Sequence, residues 1–224
     1  MQVCLFDIDG TLLSSGGAGK AAMEAALVSE FGVREVRGAV PFSGRTDRSI
    51  GRDLLRTHGV EPTPENWQRL LAAYLRHLPA CLASHKGQVL PGIVWLLEHL
   101  AGRDGVAVGL LTGNVRDGAR LKLGHYDLFH HFAFGGYGDH HWERNDVARE
   151  ALAAVRGHHN GSVELDRIWV IGDTPLDVRC ARAIGVKVAA VATGLHPLAE
   201  LAAERPDCLL ADLSDPAPLL ALWV

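Results

Sequence analysis

The sequence predicts an α/β protein in which a doubly wound parallel sheet carries an inserted helical segment. Short apolar runs alternate with helical patterns over most of the chain, which is typical of right-handed βαβ units and a parallel sheet. A long stretch after the first apolar run, from about Gly16 to Lys86, shows helical patterns and no convincing strand. Because that stretch adds nothing to the sheet, we interpret it as an insertion.

The first predicted strand is the buried run at residues 3–6, which ends at polar residues and Gly10. Gly16, Gly17 and Gly19 then predict a flexible turn. Apolar residues repeated at helical spacing predict three helices in the insertion. They lie at residues 21–31, around residues 50–55 and around residues 70–78.

The pattern changes at Leu90-Pro91-Gly92, after which helices and strands alternate. Strands are expected at residues 106–111, 132–134, 168–171, 186–191 and 208–210. Helices are expected at residues 93–100, near Ala119, at 145–155 and at 178–184. The sequence therefore predicts a core made of residues 1–14 and 89–224 and a helical insertion at residues 15–88.

Composition and charge exclude several classes of protein. The 224 residues suit one α/β unit with a smaller insertion, and a hydrophobic content of 48% is enough for a packed core. The formal net charge of −4 gives no overall basic field for nucleic acid. The N-terminus is not a signal peptide, and no run reaches the roughly 18 apolar residues of a membrane span. Four scattered cysteines without a CxxC pair suit a reducing compartment. We expect a soluble cytoplasmic protein without nucleic-acid or membrane partners.

Polar residues follow four of the predicted strands, at the sheet edge where open parallel sheets bind ligands. They are Asp7, Asp9, Gly10 and Thr11 after the first strand, Thr112, Gly113 and Asn114 after residues 106–111, Asp139 and Arg144 after residues 132–134, and Gly172, Asp173, Thr174 and Asp177 after residues 168–171. Several carboxylates, small donors and one cation are thus expected to converge at one edge.

This combination of groups suits phosphoryl transfer. Crowded carboxylates repel one another, and a hard divalent cation with oxygen ligands relieves the repulsion. The metal, Arg144 and backbone N–H groups can stabilise the oxygens of a transferring phosphoryl group. A carboxylate at a strand end can attack phosphorus and form an aspartyl-phosphate. A second carboxylate two residues later can protonate the leaving oxygen and then deprotonate water.

Three motifs occur along the chain in order. They are Asp7-Ile8-Asp9-Gly10-Thr11, Leu110-Leu111-Thr112-Gly113-Asn114 and Gly172-Asp173-Thr174-Pro175-Leu176-Asp177. They resemble the DxDGT signature, the second motif and the acidic metal motif of the haloacid dehalogenase-like superfamily of phosphohydrolases. The resemblance covers essentially the whole chain. The insertion is similar to the type 1 helical cap of phosphoglycolate phosphatase-like members.

The resemblance implies a Mg²⁺-dependent phosphatase that acts on a small phosphate monoester through an aspartyl-phosphate. Asp7 would be the nucleophile, and Asp9 would act first as acid and then as base. Phosphate would be bound by Thr112, Gly113, Asn114 and Arg144. The metal would be bound by Asp7, the backbone carbonyl of Asp9 and Asp173, with Asp177 in support.

The third motif departs from the family pattern, which usually offers a lysine. This chain has no lysine between Lys122 and Lys187, and Arg144 occupies the place just before a predicted helix. Since arginine can clamp phosphate in a bidentate way, we expect Arg144 to take this role. Lys122 is the next candidate.

Arg45 is the residue of the insertion predicted to contact the non-reacting part of the substrate. It lies in Gly44-Arg45-Thr46-Asp47, before the predicted helix around Ile50. A guanidinium there would suit a substrate carboxylate or a second phosphate. A solvated Arg45 paired with Asp47 or Asp53 is an equally open alternative.

Two other functions stay open on the same scaffold: a phosphomutase or phosphotransferase with another acceptor, and a catalytically silent binding module. A carbon–halogen hydrolase is disfavoured, because such relatives lack the second acid and the metal, whereas Asp9 is present here.

Overall fold

The computed structural model describes residues 1–159 and 163–223 and contains a six-stranded parallel sheet. The predicted core range 89–224 includes residues 160–162 and 224, which lie outside the described residues. The first half of the chain forms β1 (Gln2–Phe6), β2 (Leu13–Ser14), α1 (Ala18–Phe31), α2 (Asp47–Thr57), α3 (Pro64–Ser84), β3 (Gln88–Val89), α4 (Ile93–Ala101), β4 (Val106–Leu111) and α5 (Arg116–His125).

The second half continues the alternation, with two short 3₁₀ helices at Phe129–His131 and Leu165–Arg167. Its other elements are β5 (Gly135–Gly136), α6 (Arg144–His158), β6 (Ile168–Gly172), α7 (Pro175–Ala183), β7 (Lys187–Val191), α8 (Leu198–Ala203), β8 (Cys208–Leu210) and α9 (Ala217–Leu220).

The strand order is β5-β4-β1-β6-β7-β8, with every neighbouring pair parallel. The chain leaves β1 toward β4 and β5, then returns to the other side of β1 and continues through β6, β7 and β8. This is the predicted doubly wound sheet, and the prediction is confirmed. The direction of winding reverses at β1, so the carboxyl ends of β1, β4 and β6 form the crevice where such sheets bind ligands.

Side chains of β1 alternate between two apolar layers, one on each face of the sheet. Cys4 and Phe6 lie in the layer that contains residues of α4, α5 and α9. Val3 and Leu5 lie in the layer that contains residues of α6, α7 and α8. All five residues of β1 are buried, so the sheet is covered by helices on both faces at its centre.

The three predicted helices of the insertion are present as α1, α2 and α3, and they share an apolar core that includes Met23, Leu27, Leu70 and Tyr74. At the two ends of the insertion, β2 pairs with β3 as an antiparallel ribbon, with Leu13 opposite Val89. The sequence analysis did not predict this ribbon, because strands of two residues leave no periodicity to detect.

The strand predicted at residues 132–134 is wrong, because the paired strand is Gly135–Gly136. A Cβ atom on Gly135 would lie 2.9 Å from Leu110, and one on Gly136 would lie 2.4 Å from the Val147 carbonyl oxygen. Only glycine fits between β4 and α6. A search for apolar runs cannot find a strand made of two glycines.

The four cysteines are unpaired, and Cys4, Cys180 and Cys208 are buried. Among the described residues, no helix combines the length and apolar character that a membrane crossing requires.

Candidate active site

A cleft of about 390 Å³ lies between the carboxyl edge of the sheet and the helical insertion. The loops after β1, β4 and β6 supply its floor, as the strand order requires. The insertion supplies the opposite wall. The floor includes Asp7, Asp9, Gly113, Asn114, Arg144 and Asp173, and the opposite wall includes Met23, Phe42, Arg45, Asp47, Ile50 and Tyr74.

Asp7 follows β1 directly and is 4% exposed. Its Oδ1 atom lies 3.0 Å from Nη2 of Arg144 but accepts no well-directed hydrogen bond from the described residues. Burial raises the pKa of Asp7 to about 6, with Asp177 and Asp9 adding to the rise and Arg144 opposing it. Asp7 is therefore a carboxylate with one buried oxygen that lacks a hydrogen-bond donor among the described residues.

Asp7, Asp173 and Asp177 each offer an oxygen atom within 4.8 Å of the other two. Burial, together with the charges of Asp177 and Asp7, raises the pKa of Asp173 well above its ordinary value. Clustered carboxylates of this kind bind hard divalent cations, which remove the repulsion that raises the pKa. The Asp7 oxygen that has no hydrogen bond from the described residues adds to the fit, so the residues present suit a hard divalent cation.

Two glycines enclose the Asp173 carboxylate. A Cβ atom on Gly10, whose φ is +89°, would lie 2.4 Å from Asp173 Oδ2, and one on Gly194 would lie 1.7 Å from the same oxygen. Thr11 Oγ1 donates to Asp173 Oδ1 at 3.1 Å. The carboxylate is thus held in one orientation, and Gly10 of the DxDGT motif is required both by its backbone and by its neighbour.

Asp177 is completely buried and holds two groups at once. Its Oδ2 atom accepts from the backbone N–H of Thr174 at 3.0 Å and from Thr174 Oγ1 at 2.8 Å, which closes a capping box at the start of α7. Its Oδ1 atom accepts from Arg144 Nη2. Asp177 does not line the cleft. It belongs to the cluster of possible metal ligands and also orients Arg144, and its supporting role at the metal stays a prediction.

Arg144 is the first residue of α6 and is 6% exposed. The same Nη2 atom that meets Asp7 and Asp177 also lies 3.3 Å from the carbonyl oxygen of Leu111. The guanidinium therefore lies at the floor of the cleft beside the predicted nucleophile, where the sequence analysis expected a cation.

Asp9 lies in a ring of hydrogen bonds with two residues of the β4–α5 region. Its Oδ2 atom accepts from Lys122 Nζ at 2.6 Å and from Asn114 Nδ2 at 2.9 Å, and Lys122 Nζ also donates to Asn114 Oδ1 at 2.7 Å. Burial by itself raises the pKa of Asp9, but Lys122, Asn114 and Ser15 lower it by more, so the net pKa is lower than usual. Burial by itself lowers the pKa of Lys122, but Asp9 and Asp47 raise it by more.

The contact between Lys122 and Asp9 was not predicted, since Lys122 was considered only as a substitute for Arg144. One signal was available in the sequence. Lys122 shares the buried side of α5 with Ala119 and Leu123. A lysine on the apolar side of a helix needs an anionic partner when it is buried.

The second motif is divided between the interior and the cleft. Thr112 is fully buried, does not line the cleft, and accepts from the backbone N–H of Asn114 at 3.3 Å and from Asn114 Nδ2 at 2.8 Å. Gly113 and Asn114 line the cleft. Thr112 therefore orients Asn114 toward Asp9, while a direct contact between Thr112 and phosphate stays a prediction.

Arg45 lines the cleft, but its guanidinium already has partners. Nη2 lies 2.6 Å from Asp53 Oδ2, and Nη1 donates to the Pro41 carbonyl oxygen at 3.0 Å. This is the pairing with Asp53 that the sequence left as an equal alternative. Substrate contact by Arg45 stays a prediction.

Residues 46–48 dock the insertion onto the core. The backbone N–H of Asp47 donates to the Gly113 carbonyl at 2.7 Å, and Asp47 Oδ2 accepts from the backbone N–H of Val115 at 2.9 Å. Arg48 donates to the carbonyl oxygen of Asp139 at 3.1 Å. Burial raises the pKa of Asp47 to about 6. The sequence suggested Asp47 only as a possible partner of Arg45, because nothing in an aspartate at a helix start indicates a contact with a distant loop.

Comparison with known proteins places these features in a family. Residues 4–191 match the family described as haloacid dehalogenase-like hydrolase. The chain is 30% identical over 222 residues to a phosphoglycolate phosphatase of Synechococcus elongatus, with 96% of this chain and 95% of that protein covered. It is 27% identical to phosphoglycolate phosphatase 1 of Pseudomonas aeruginosa, with 97% of this chain and 79% of that protein covered.

Solved structures share the fold. CbbY from Rhodobacter sphaeroides, in complex with phosphate, superposes with a TM-score of 0.77 at 20% identity and covers 97% of this chain and 96% of its own. A hydrolase from Pseudomonas syringae superposes with a TM-score of 0.74 at 23% identity and covers 99% of this chain and 98% of its own. At these identities the likeness concerns the fold alone.

Proposed function

Since the chain belongs to the haloacid dehalogenase-like hydrolase family and is a phosphatase, we propose that it hydrolyses a small acidic phosphate monoester through an aspartyl-phosphate on Asp7. The observation that carries the proposal is the Asp7 carboxylate. It follows the central strand, lines the cleft, has one oxygen without a hydrogen bond, and lies beside Arg144 and Asp173.

In the first step, an Asp7 oxygen forms a bond to phosphorus as the bond from phosphorus to the leaving oxygen breaks. Asp9 gives its proton to that leaving oxygen. In the second step, Asp9 takes a proton from water, the water oxygen bonds to phosphorus, and the bond from Asp7 to phosphorus breaks. The products are an alcohol and inorganic phosphate, and both aspartates return to their starting states.

The surrounding groups bind and orient the phosphoryl group. The Arg144 guanidinium lies close enough to Asp7 to donate to equatorial oxygens, and Gly113 and Asn114 line the same floor. Mg²⁺ would be held by Asp7, the Asp9 carbonyl and Asp173, with Asp177 nearby, and when bound it supplies positive charge that offsets the charge of the phosphoryl oxygens.

The environment of Asp9 suits both of its proposed roles. Hydrogen bonds from Lys122 and Asn114 favour the ionised carboxylate of Asp9. The ionised carboxylate is the form that deprotonates water. A phosphate dianion bound near Asp9 brings negative charge, and like charge raises the pKa of a carboxyl group. Substrate binding therefore raises the pKa of Asp9, which is the direction that the first step requires.

We propose phosphoglycolate, or a close analogue with a carboxylate, as the substrate. The relatives that cover nearly the whole chain are phosphoglycolate phosphatases. A cleft of about 390 Å³ is near the lower end of the usual range for small-molecule sites, roughly 300–1,000 Å³. The residue division is part of the proposal: residues 1–14 and 89–224 form the catalytic core, and residues 15–88 form a cap that covers the cleft.

The test is an assay of the purified protein with Mg²⁺ on a panel of phosphate monoesters. The panel contains phosphoglycolate, phospholactate, glycerol phosphate, several sugar phosphates and p-nitrophenyl phosphate. We expect the highest kcat/KM for phosphoglycolate and no turnover by Asp7→Asn, in which an amide replaces the nucleophile. Wild-type turnover by Asp7→Asn would overturn the mechanism, and a preference for neutral esters would overturn the substrate class.

A second readout separates hydrolysis from transfer. In water enriched in ¹⁸O, a hydrolase releases phosphate that carries one solvent oxygen. A mutase or phosphotransferase would move the phosphoryl group to a sugar phosphate acceptor without that label. Activity of either kind sets aside the silent binding module.

A further inference from the structure

We propose that Lys122 is a positioning residue that fixes the carboxylate of Asp9, and that Gly19 is a glycine because Lys122 needs the space beside it. The inference rests on the proposed role of Asp9 as acid and base. It assigns a task to a buried lysine and to a glycine of the insertion that the chemistry at Asp7 does not use.

Lys122, Asp9 and Asn114 form a closed ring of hydrogen bonds. All three pairs are joined, at 2.6 Å from Lys122 to Asp9, 2.7 Å from Lys122 to Asn114 and 2.9 Å from Asn114 to Asp9. The Asp9 side chain is 38% exposed, so without this ring it could rotate in the cleft. A catalytic side chain held by two further side chains is pre-organised, and small misplacements of such a group slow reactions strongly.

The hydrogen-bond donors of the ring contact only one of the two carboxylate oxygens of Asp9. Both strong donors, from Lys122 and Asn114, reach Oδ2 of Asp9. Oδ1 has one long contact, 3.4 Å from Ser15 Oγ. The ring therefore occupies one oxygen and leaves the other for proton transfer.

Gly19 leaves space for the end of the Lys122 side chain. It lies in α1 with an ordinary helical backbone, where glycine is less favourable than alanine. A Cβ atom on Gly19 would lie 3.1 Å from Lys122 Nζ and 3.3 Å from Lys122 Cε. Apart from its chain neighbours and the nearby backbone of α1, no other heavy atom of the described residues comes within 4 Å of that position. The space beside Gly19 is thus needed for the lysine, and the insertion takes part in setting the position of Asp9.

The test compares leaving groups. Lys122→Met removes the charge and keeps the length, while Asp9→Asn removes the acid. Phosphoglycolate has a poor leaving group that needs a proton, and 2,4-dinitrophenyl phosphate has a good one that does not. We expect Lys122→Met to lower kcat on phosphoglycolate about 10–100-fold and kcat on the dinitrophenyl ester less than about 3-fold. The double variant should be no slower than Asp9→Asn, because both changes affect one function.

Gly19→Ala keeps the ion pair and displaces Lys122 by a few tenths of an ångström. We expect kcat on phosphoglycolate to fall about 3–10-fold and kcat on the dinitrophenyl ester to stay unchanged. Gly124→Ala is the matched control, because it lies in α5 and a Cβ atom there meets nothing within 4 Å. It should leave both substrates unchanged. If Lys122→Met does not fold, Gly19→Ala decides the question by itself.

The outcomes separate the two proposals. If Asp9→Asn slows the two substrates equally, Asp9 is not the acid and the proposed function fails. If Asp9→Asn is selective but Lys122→Met and Gly19→Ala are not, the proposed function holds and the inference about Lys122 is overturned. Selective loss in all three variants supports both.

Discussion

A single buried guanidinium serves two carboxylates at the floor of the cleft. Arg144 lies 3.0 Å from Asp7 and donates to Asp177, and among the described residues neither acid forms an ion pair with another cation. Arginine keeps its charge at every accessible pH and presents several donors in a fixed plane. This explains how an arginine can occupy the place where the family resemblance led us to expect a lysine.

Arg144→Ala should impair both chemistry and stability. Removing one partner of a buried ion pair leaves an uncompensated charge, which typically costs about 3–5 kcal/mol of unfolding free energy. Loss of the phosphate donor should lower kcat/KM on p-nitrophenyl phosphate by about 10²–10³-fold. Arg144→Lys should recover part of the activity and part of the stability, since lysine restores the positive charge but not the two parallel donors of the guanidinium. Steady-state kinetics and urea unfolding check this, and unchanged kinetics in folded Arg144→Ala would assign the phosphate contact elsewhere.

Asp47 should make the stability of the protein depend on pH. Burial, assisted by Asp9 and Asp139 and opposed by Lys122 and the Val115 N–H, raises its pKa from 3.8 to about 6. Because the pKa of Asp47 is higher in the folded than in the unfolded protein, its contribution to stability is fully present below pH 3.8, the unfolded pKa. That contribution is lost as the pH rises through about 6, the folded pKa. Asp47→Asn stays neutral and still accepts from Val115. Its unfolding free energy relative to wild type should therefore rise by about 2–3 kcal/mol between pH 4 and pH 7.

Urea unfolding of both proteins at several pH values measures this difference. Asp104→Asn is the control, because Asp104 is exposed in the turn before β4. A difference between Asp47→Asn and wild type that stays constant from pH 4 to pH 7 would show that Asp47 does not titrate in this range.

The sequence predicted the acids of the site more fully than their supports. Asp7, Asp9 and Asp173 could be placed because each follows an apolar strand, and parallel strands bring their carboxyl ends to one edge. Lys122 and Asp47 reach the site from a helix and from the insertion. Their positions depend on how these elements pack, and local periodicity carries no information about that packing.

At the scale of elements, the loop after β4 is the surface on which the insertion rests. The Gly113 carbonyl accepts from the Asp47 N–H, and a Cβ atom on Gly113 would lie 2.1 Å from the Arg45 carbonyl oxygen. Backbone meets backbone here, so neither side can move aside as a flexible side chain would. The glycine of the second motif therefore permits the close contact between this loop and the insertion.

Gly113→Ala should hold the insertion away from the core. We expect kcat/KM on phosphoglycolate to fall at least about tenfold, because a displacement near 1 Å at a catalytic site can cost on the order of 10²-fold. Gly124→Ala, also in the β4–α5 region but without neighbours for its Cβ, should leave activity unchanged. Kinetics on both variants provide the check. Equal activity of the two variants would mean that close contact at Gly113 is not needed.

At the scale of the whole molecule, the sheet and the insertion have separate apolar cores joined by the β2–β3 ribbon. The apolar patterns were enough to predict the parallel sheet and the three helices of the insertion, because each of these groups of elements buries its own apolar surface. Their mutual placement was not predictable, since it depends on a few backbone contacts at Gly113 and on polar contacts of residues 46–48. The cleft exists only where the two units meet.

Metal binding should stabilise the whole fold, and more so at higher pH. Burial raises the pKa of Asp7 to about 6 and that of Asp173 well above its ordinary value. The stability that comes from these raised pKa values is present at low pH and is lost as the pH rises through them. At pH 7.5 the metal-free protein therefore carries unfavourable negative charge on Asp7 and Asp173. Mg²⁺ bound to the ionised carboxylates would offset that charge. At about 100 times its Kd, binding contributes about 2.7 kcal/mol, which corresponds to a rise in Tm of roughly 5–10 °C.

Calorimetry of the protein with Mg²⁺ or EDTA, at pH 5 and pH 7.5, measures this effect without reference to activity. The rise in Tm should be large at pH 7.5 and small at pH 5, where protons compete with the metal for the same oxygens. Asp173→Asn should lose most of the response, because an amide neither repels Asp7 nor binds the cation as strongly. Asp104→Asn should respond like wild type. An equal response to Mg²⁺ in Asp173→Asn and wild type would show that the cation stabilises the fold from another site.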